Sequence, residues 1–139
     1  MKKQIKLDIS EEEFLDDDLL EIKITPENLK EWCLALCLLK ENLLNEVVLL
    51  GKQKVSLSLN NLIKQEDRAF WEIAEKQKKL MLSQTEIGYW LKFFLEIYRD
   101  GFSNINHLDT EAIKLPLRNK LLNVYLKYDF LGENLETKF

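Results

Sequence analysis

One stretch, TPENLKEWCLALCLLKENLL over residues 25–44, limits the possible folds more than any other in the chain. Thr25 before Pro26 gives an N-cap followed by proline at the first helical position. Leu29, Trp32, Cys33, Leu36, Leu39 and Leu43 then recur at helical spacing, and Leu34 and Leu38 widen the stripe. The spacing predicts a helix over 26–44 whose apolar surface is too broad for one neighbour, hence a central helix contacted from two sides. The remaining chain must supply apolar faces to enclose it.

Those faces read as strands. KQIKLDI alternates Ile5, Leu7 and Ile9 with Lys6 and Asp8, and EIKIT (21–25) alternates again. EVVLLGKQKVSLSLN resembles a hairpin around Gly51, with a helix continued through Val48 as the competing reading. The segment 104–113 and NVYLKYDF (123–130), with Val124, Leu126, Tyr128 and Phe130 on one face, predict two more strands. Ser10 with Glu13 matches a capping box and predicts a short acidic helical turn. Asn60 or Asn61 predicts the cap of a helix reaching about Lys79, with Ile63, Phe70, Ile73, Ala74 and Met81 along one side. Ser83 and Glu86 form a further capping box opening a helix over 84–99, stopped by Arg99 and Gly101. No internal repeat is apparent. The expectation is a single α+β domain over 1–139, a mostly antiparallel sheet packed against about three helices, with 131–139 a frayed tail.

A chain of 139 residues with 46% apolar and 32% charged residues can bury a core without disulfides or metal, and is not of disordered composition. Its longest uncharged apolar run, WCLALCLL (32–39), falls far short of the ~20 residues that span a bilayer. The start, MKKQIKLDIS, has no apolar leader core, so a cytoplasmic location is expected. Cys33 and Cys37, four apart on one helix, stack in parallel without converging on a disulfide, and read as reduced core residues.

Several chemistries lack their signatures. Gly51, Gly88, Gly101 and Gly132 stand apart, so no phosphate-cradling loop can be assembled. There is no HExxH, no nucleophile elbow and no CxxC. The clustered bases, Lys76 to Lys79 and Lys114, Arg118 and Lys120, sit on a chain of net charge -4, which disfavours nucleic acid. No cofactor is expected.

Two candidate clusters remain. His107, the single histidine, precedes Asp109 and Glu111 at two-residue steps, which places all three on one face of a strand. That pattern reads either as a solvated strand face or as the centre of a small metal-assisted or acid/base enzyme. The second cluster is SEEEFLDDDLLE, with Glu11, Glu12, Glu13, Asp16, Asp17, Asp18 and Glu21 and no base. Residues 1–31 hold ten acids against five lysines, whereas the remainder is nearly balanced. Such a segment suits electrostatically steered docking to a basic protein, the general character of immunity proteins and nuclease inhibitors in bacteria. Tyr89 and Phe93, off the main stripe of their helix, are either core or an exposed aromatic pair marking a partner or homodimer surface. The favoured expectation is an acidic protein-binding module that occludes a basic partner such as a nuclease toxin. The enzyme centred on His107 is the alternative.

Overall fold

Leu122, Val124, Leu126 and Tyr128 are buried while Leu121, Asn123 and Lys127 are exposed, so the last strand sets one apolar face inward. The same alternation runs through Leu20, Ile22 and Ile24. The computed structural model describes residues 4–8, 11–16, 19–51, 54–59, 68–74, 77–101, 107–116 and 118–128. Among them are nine strands: β1 (Gln4–Asp8), β2 (Glu11–Asp16), β3 (Leu19–Ile24), β4 (Glu46–Leu50), β5 (Lys54–Leu59), β6 (Ala69–Ala74), β7 (Gln77–Leu82), β8 (His107–Lys114) and β9 (Leu121–Tyr128). Helix α1 (Leu29–Lys40) follows β3 after a short 3-10 turn, and α2 (Gln84–Asp100) follows β7.

All nine strands join one sheet in the order β1-β4-β5-β7-β6-β8-β9-β3-β2. Each hairpin (β2β3, β4β5, β6β7, β8β9) is antiparallel, and each meets its neighbour through a parallel pair: β1 with β4, β5 with β7, β6 with β8, β3 with β9. The expected mostly antiparallel sheet under about three helices is therefore wrong. The sheet is mixed, and the described residues hold two α-helices. The acidic helical turn expected to start at Ser10 is, over Glu11–Asp16, strand β2, and Ser10 itself lies outside the described residues. The helix expected to run from Asn60 to Lys79 is, where described, the hairpin β6β7.

The sheet cannot be flat. β1 and β2 are the two ends of its strand order, yet two residues separate them in sequence. Eight spacings of ~4.8 Å would hold flat edges about 38 Å apart. Three Cα steps of ~3.8 Å cover at most about 11 Å. The sheet must therefore curl until its edges meet, with the first line of chain as the seam: β1 bonds β4 and β2 bonds β3. Followed around the pairings, β1 and β2 run in the same direction, as consecutive segments of one line should.

The helices fill this curved sheet. Gln84 Nε2 donates to the Lys40 carbonyl at 3.0 Å, and Trp32 lies 5.3 Å from Phe94 and 6.5 Å from Trp90, so the helices are antiparallel. Leu29, Trp32, Leu36 and Leu39 of α1 and Ile87, Trp90, Phe94 and Ile97 of α2 share one core cluster with the inward residues of the strands. The helix read from the sequence is flanked by a second helix and by the sheet, but it is shorter than the expected 26–44, and Leu34 and Leu43, read as part of its apolar stripe, are exposed.

The architecture is also duplicated, against the reading that no repeat exists. Hairpin, helix, hairpin occurs twice. β2 (Glu11–Asp16) and β3 (Leu19–Ile24) match β6 (Ala69–Ala74) and β7 (Gln77–Leu82) at a constant step of 58 residues. The capping boxes at Thr25 and Ser83 keep that step, as do the buried pairs Leu29/Ile87, Trp32/Trp90, Ala35/Phe93, Leu36/Phe94 and Leu39/Ile97. Among these helix pairs only tryptophan is shared. What survives is spacing, because a buried position requires an apolar residue more strictly than a particular one.

Candidate functional site

Strand register decides which surface residues become neighbours. Asp109 opposes Tyr125, Tyr125 opposes Glu21, and Glu21 opposes Glu13, a row crossing β8, β9, β3 and β2. The next row runs His107, Lys127, Lys23, Glu11. Three strand spacings of ~4.8 Å separate its ends by about 14 Å. Thr110, Ala112, Val124, Leu126, Leu20 and Ile22 take the inward positions, which turns His107, Asp109, Glu111, Tyr125 and Glu21 outward. By register Glu11 and Glu13, about ninety residues earlier in sequence, continue the rows of the outward-facing residues of β8, β9 and β3, whereas Glu12 opposes the inward-facing Ile22. Glu11, Glu12, Glu13 and Asp16 lie in β2; Asp17 and Asp18 fall outside the described residues.

The expected strand under His107 is present as β8, and its three polar residues share a face. The His107 ring stacks on Tyr125 with centroids 4.7 Å apart and planes at 14°. Its Nε2 lies 3.5 Å from Asp109 Oδ2, with both side chains substantially exposed. Cys33 and Cys37 are on α1 and do not join them. Among the described residues no group of three or more His, Cys, Asp or Glu is placed to hold a metal ion.

Where β8 approaches α2, Arg68, Glu86, Tyr89, Asp109 and Glu111 line a cleft of about 310 Å³ together with Leu108 and Thr110. Its lining therefore includes three carboxylates, a phenol and one guanidinium. Glu86 is fixed by its capping role: its Oε1 accepts from Ser83 N (3.1 Å) and Ser83 Oγ (3.0 Å), while its own N–H donates to Ser83 Oγ (3.2 Å). The aromatic pair of α2 is divided. Tyr89 is 61% exposed in this cleft, whereas Phe93 is buried against Phe94 at 5.4 Å and so is not available to a partner. One turn of helix rotates Phe93 just far enough to enter the core, which spacing alone could not resolve.

Tyr125 and Arg68 were not singled out from sequence. Tyr125 was legible as the aromatic on the polar side of a strictly alternating strand. Arg68 was hidden by the misread helix.

The cysteines are also divided. Cys33 is buried, and desolvation, reinforced by the nearby Cys37, pushes its thiol up to about 11. Cys37 is exposed, which corrects the expectation that both are core. A thiol reagent at neutral pH is therefore expected to modify one cysteine in the native protein, at Cys37, and the second after unfolding. Peptide mapping of the labelled protein checks this. Equal rates at both would contradict it.

No family model, curated protein or solved structure matches this chain.

Proposed function

We propose that this protein is a binding module of inhibitor or immunity type that occludes a basic protein partner, using the outer face of β8, β9, β3 and β2. The carrying observation is the row Asp109, Tyr125, Glu21, Glu13, which unites the acidic β2 with the Asp109 and Glu111 cluster. Carboxylates spread over a rigid sheet give a fixed field that steers a cationic partner, whereas Tyr125 and Tyr89 offer contact area with little side-chain entropy to lose. The Glu86, Asp109 and Glu111 cleft suits one arginine or lysine side chain of that partner. His107, stacked and exposed, serves this reading as part of the contact surface.

Capture from native lysate followed by mass spectrometry supplies the partner. The variant Glu21→Lys/Asp109→Lys/Glu111→Lys is then expected to associate on the order of tenfold more slowly at low salt, with a flatter salt dependence. These residues are outward, so the melting temperature is the control for folding. Unchanged association rate and salt slope in a folded variant would reject the reading.

A further inference from the structure

α2 turns a different strip to solvent. Gly88, Leu91, Leu95 and Tyr98 succeed one another at steps of three, four and three residues, which aligns them along one side of the helix. With Lys40, Lys92, Glu96 and Arg99 they line an open groove of about 590 Å³. Leu95 and Tyr98 are 43% and 55% exposed, so this apolar strip is not covered by the described fold.

Gly88 is the telling residue. Glycine within a helix is a destabilising choice relative to alanine. Among the described residues nothing lies within 4 Å of where its Cβ would be, so no crowding by them demands it. The fold does not demand it either, because its counterpart 58 residues earlier is Lys30, an exposed residue of α1. What a glycine provides here is closer approach from outside.

The sign of the groove narrows the visitor. Two hydrogen bonds to Asp100, at 2.8 and 2.7 Å, neutralise Arg99. Lys40 and Lys92 remain against Glu96, a locally positive strip on a chain of net charge -4. That excess of one positive charge is opposite in sign to the acidic face and favours an acidic visitor over a basic one.

We propose that this groove receives one α-helix of a partner protein, apolar along one side and acidic on its flanks. Its axis crosses α2 at Gly88, where the missing side chain lets the backbones draw near, and its apolar residues lie on Leu91, Leu95 and Tyr98. The strip from Gly88 to Tyr98 is about 15 Å long at ~1.5 Å per residue, enough for three helical turns of contact. Its acidic residues meet Lys40 and Lys92.

The test is selection of a displayed library of helical peptides on the full chain. Enriched peptides should carry apolar residues at i, i+3 or i+4, and i+7, with an excess of Asp and Glu. A synthesised winner should lose at least tenfold in affinity for Gly88→Gln and for Leu95→Lys, both of which should keep the parent's melting temperature or exceed it. Enrichment of basic or aperiodic peptides overturns the proposal, as does affinity indifferent to Gly88→Gln. Self-association of the full chain by light scattering, abolished by Gly88→Gln, would give the groove to a second copy and overturn it. So would binding of a dansylated fatty acid that Gly88→Gln abolishes while no peptide is enriched.

Discussion

Trp90→Ala is expected to cost about 3–5 kcal/mol, a large part of the ~5–15 kcal/mol that stabilises a domain. Trp90 is fully buried at the contact between the two helices and packs near Trp32. Its Nε1 also donates to Thr110 Oγ1 at 2.8 Å, tying α2 to β8. The duplicated position makes a sharper comparison. Trp32 is equally buried, yet its Nε1 has no hydrogen-bond partner among the described residues. Register explains the difference. β5 pairs with β7 as β9 pairs with β3, which matches Val55 to Val124 and hence their cross-strand partners Leu49 and Thr110. The second repeat has a hydroxyl where the first has a leucine. Trp90→Phe is therefore expected to cost about 1–2 kcal/mol more than Trp32→Phe, since it breaks a buried hydrogen bond whereas the other removes an orphaned donor. Urea unfolding of both variants measures this. Equal costs would mean that the Thr110 bond contributes nothing net.

What was legible in the sequence follows from how local each signal is. α2 was read almost to the residue, because Ser83 and Glu86 form its capping box and Gly101 takes the left-handed φ of 81° at its end. β9 was read from alternation. β2 was misread because Ser10 and Glu13 imitate a helix start, and nothing local announces the pairing of Glu12 with Ile22 that makes it a strand. The hairpin β6β7 was misread for two reasons. Phe70 and Trp71 are both buried although they lie on opposite sides of β6, Phe70 having the Arg118 guanidinium 5.4 Å above its ring, so the alternation is erased. The two strands are also joined through Glu75 and Lys76, with no glycine or asparagine to mark a turn. Parallel pairings carry no local mark at all, so the mixed sheet and its closure were out of reach. The same holds for the site. That His107, Asp109 and Glu111 share a face is a property of one strand, but their union with Glu21 and Tyr89 is a property of register and packing.

Leu126→Asp should unfold the protein or come close, with a loss above about 4 kcal/mol, because an unpaired carboxylate replaces a fully buried leucine. The position is a severe one. β9 is hydrogen-bonded on both sides, with Leu126 between Leu108 of β8 and Ile22 of β3, so the strand cannot swing outward to wet the charge. Next to it, Lys127 lies on the exposed side between His107 and Lys23, and Lys127→Thr should stay within about 0.5 kcal/mol of the parent. The contrast rests on the two-residue period, since a slip of one residue would exchange the faces. The penalty at Leu126→Asp should also depend on pH. Burial favours the protonated acid, so the folded-state pKa of the new carboxyl is raised above the unfolded value of ~3.9. Between those two values the folded state holds a proton that the unfolded state has released, and stability falls as pH rises. The gap in melting temperature between Leu126→Asp and the parent should therefore be smallest near pH 4 and widen toward neutrality. A gap independent of pH would place the carboxylate in water, and equal costs for the two substitutions would put β9 one residue out of register.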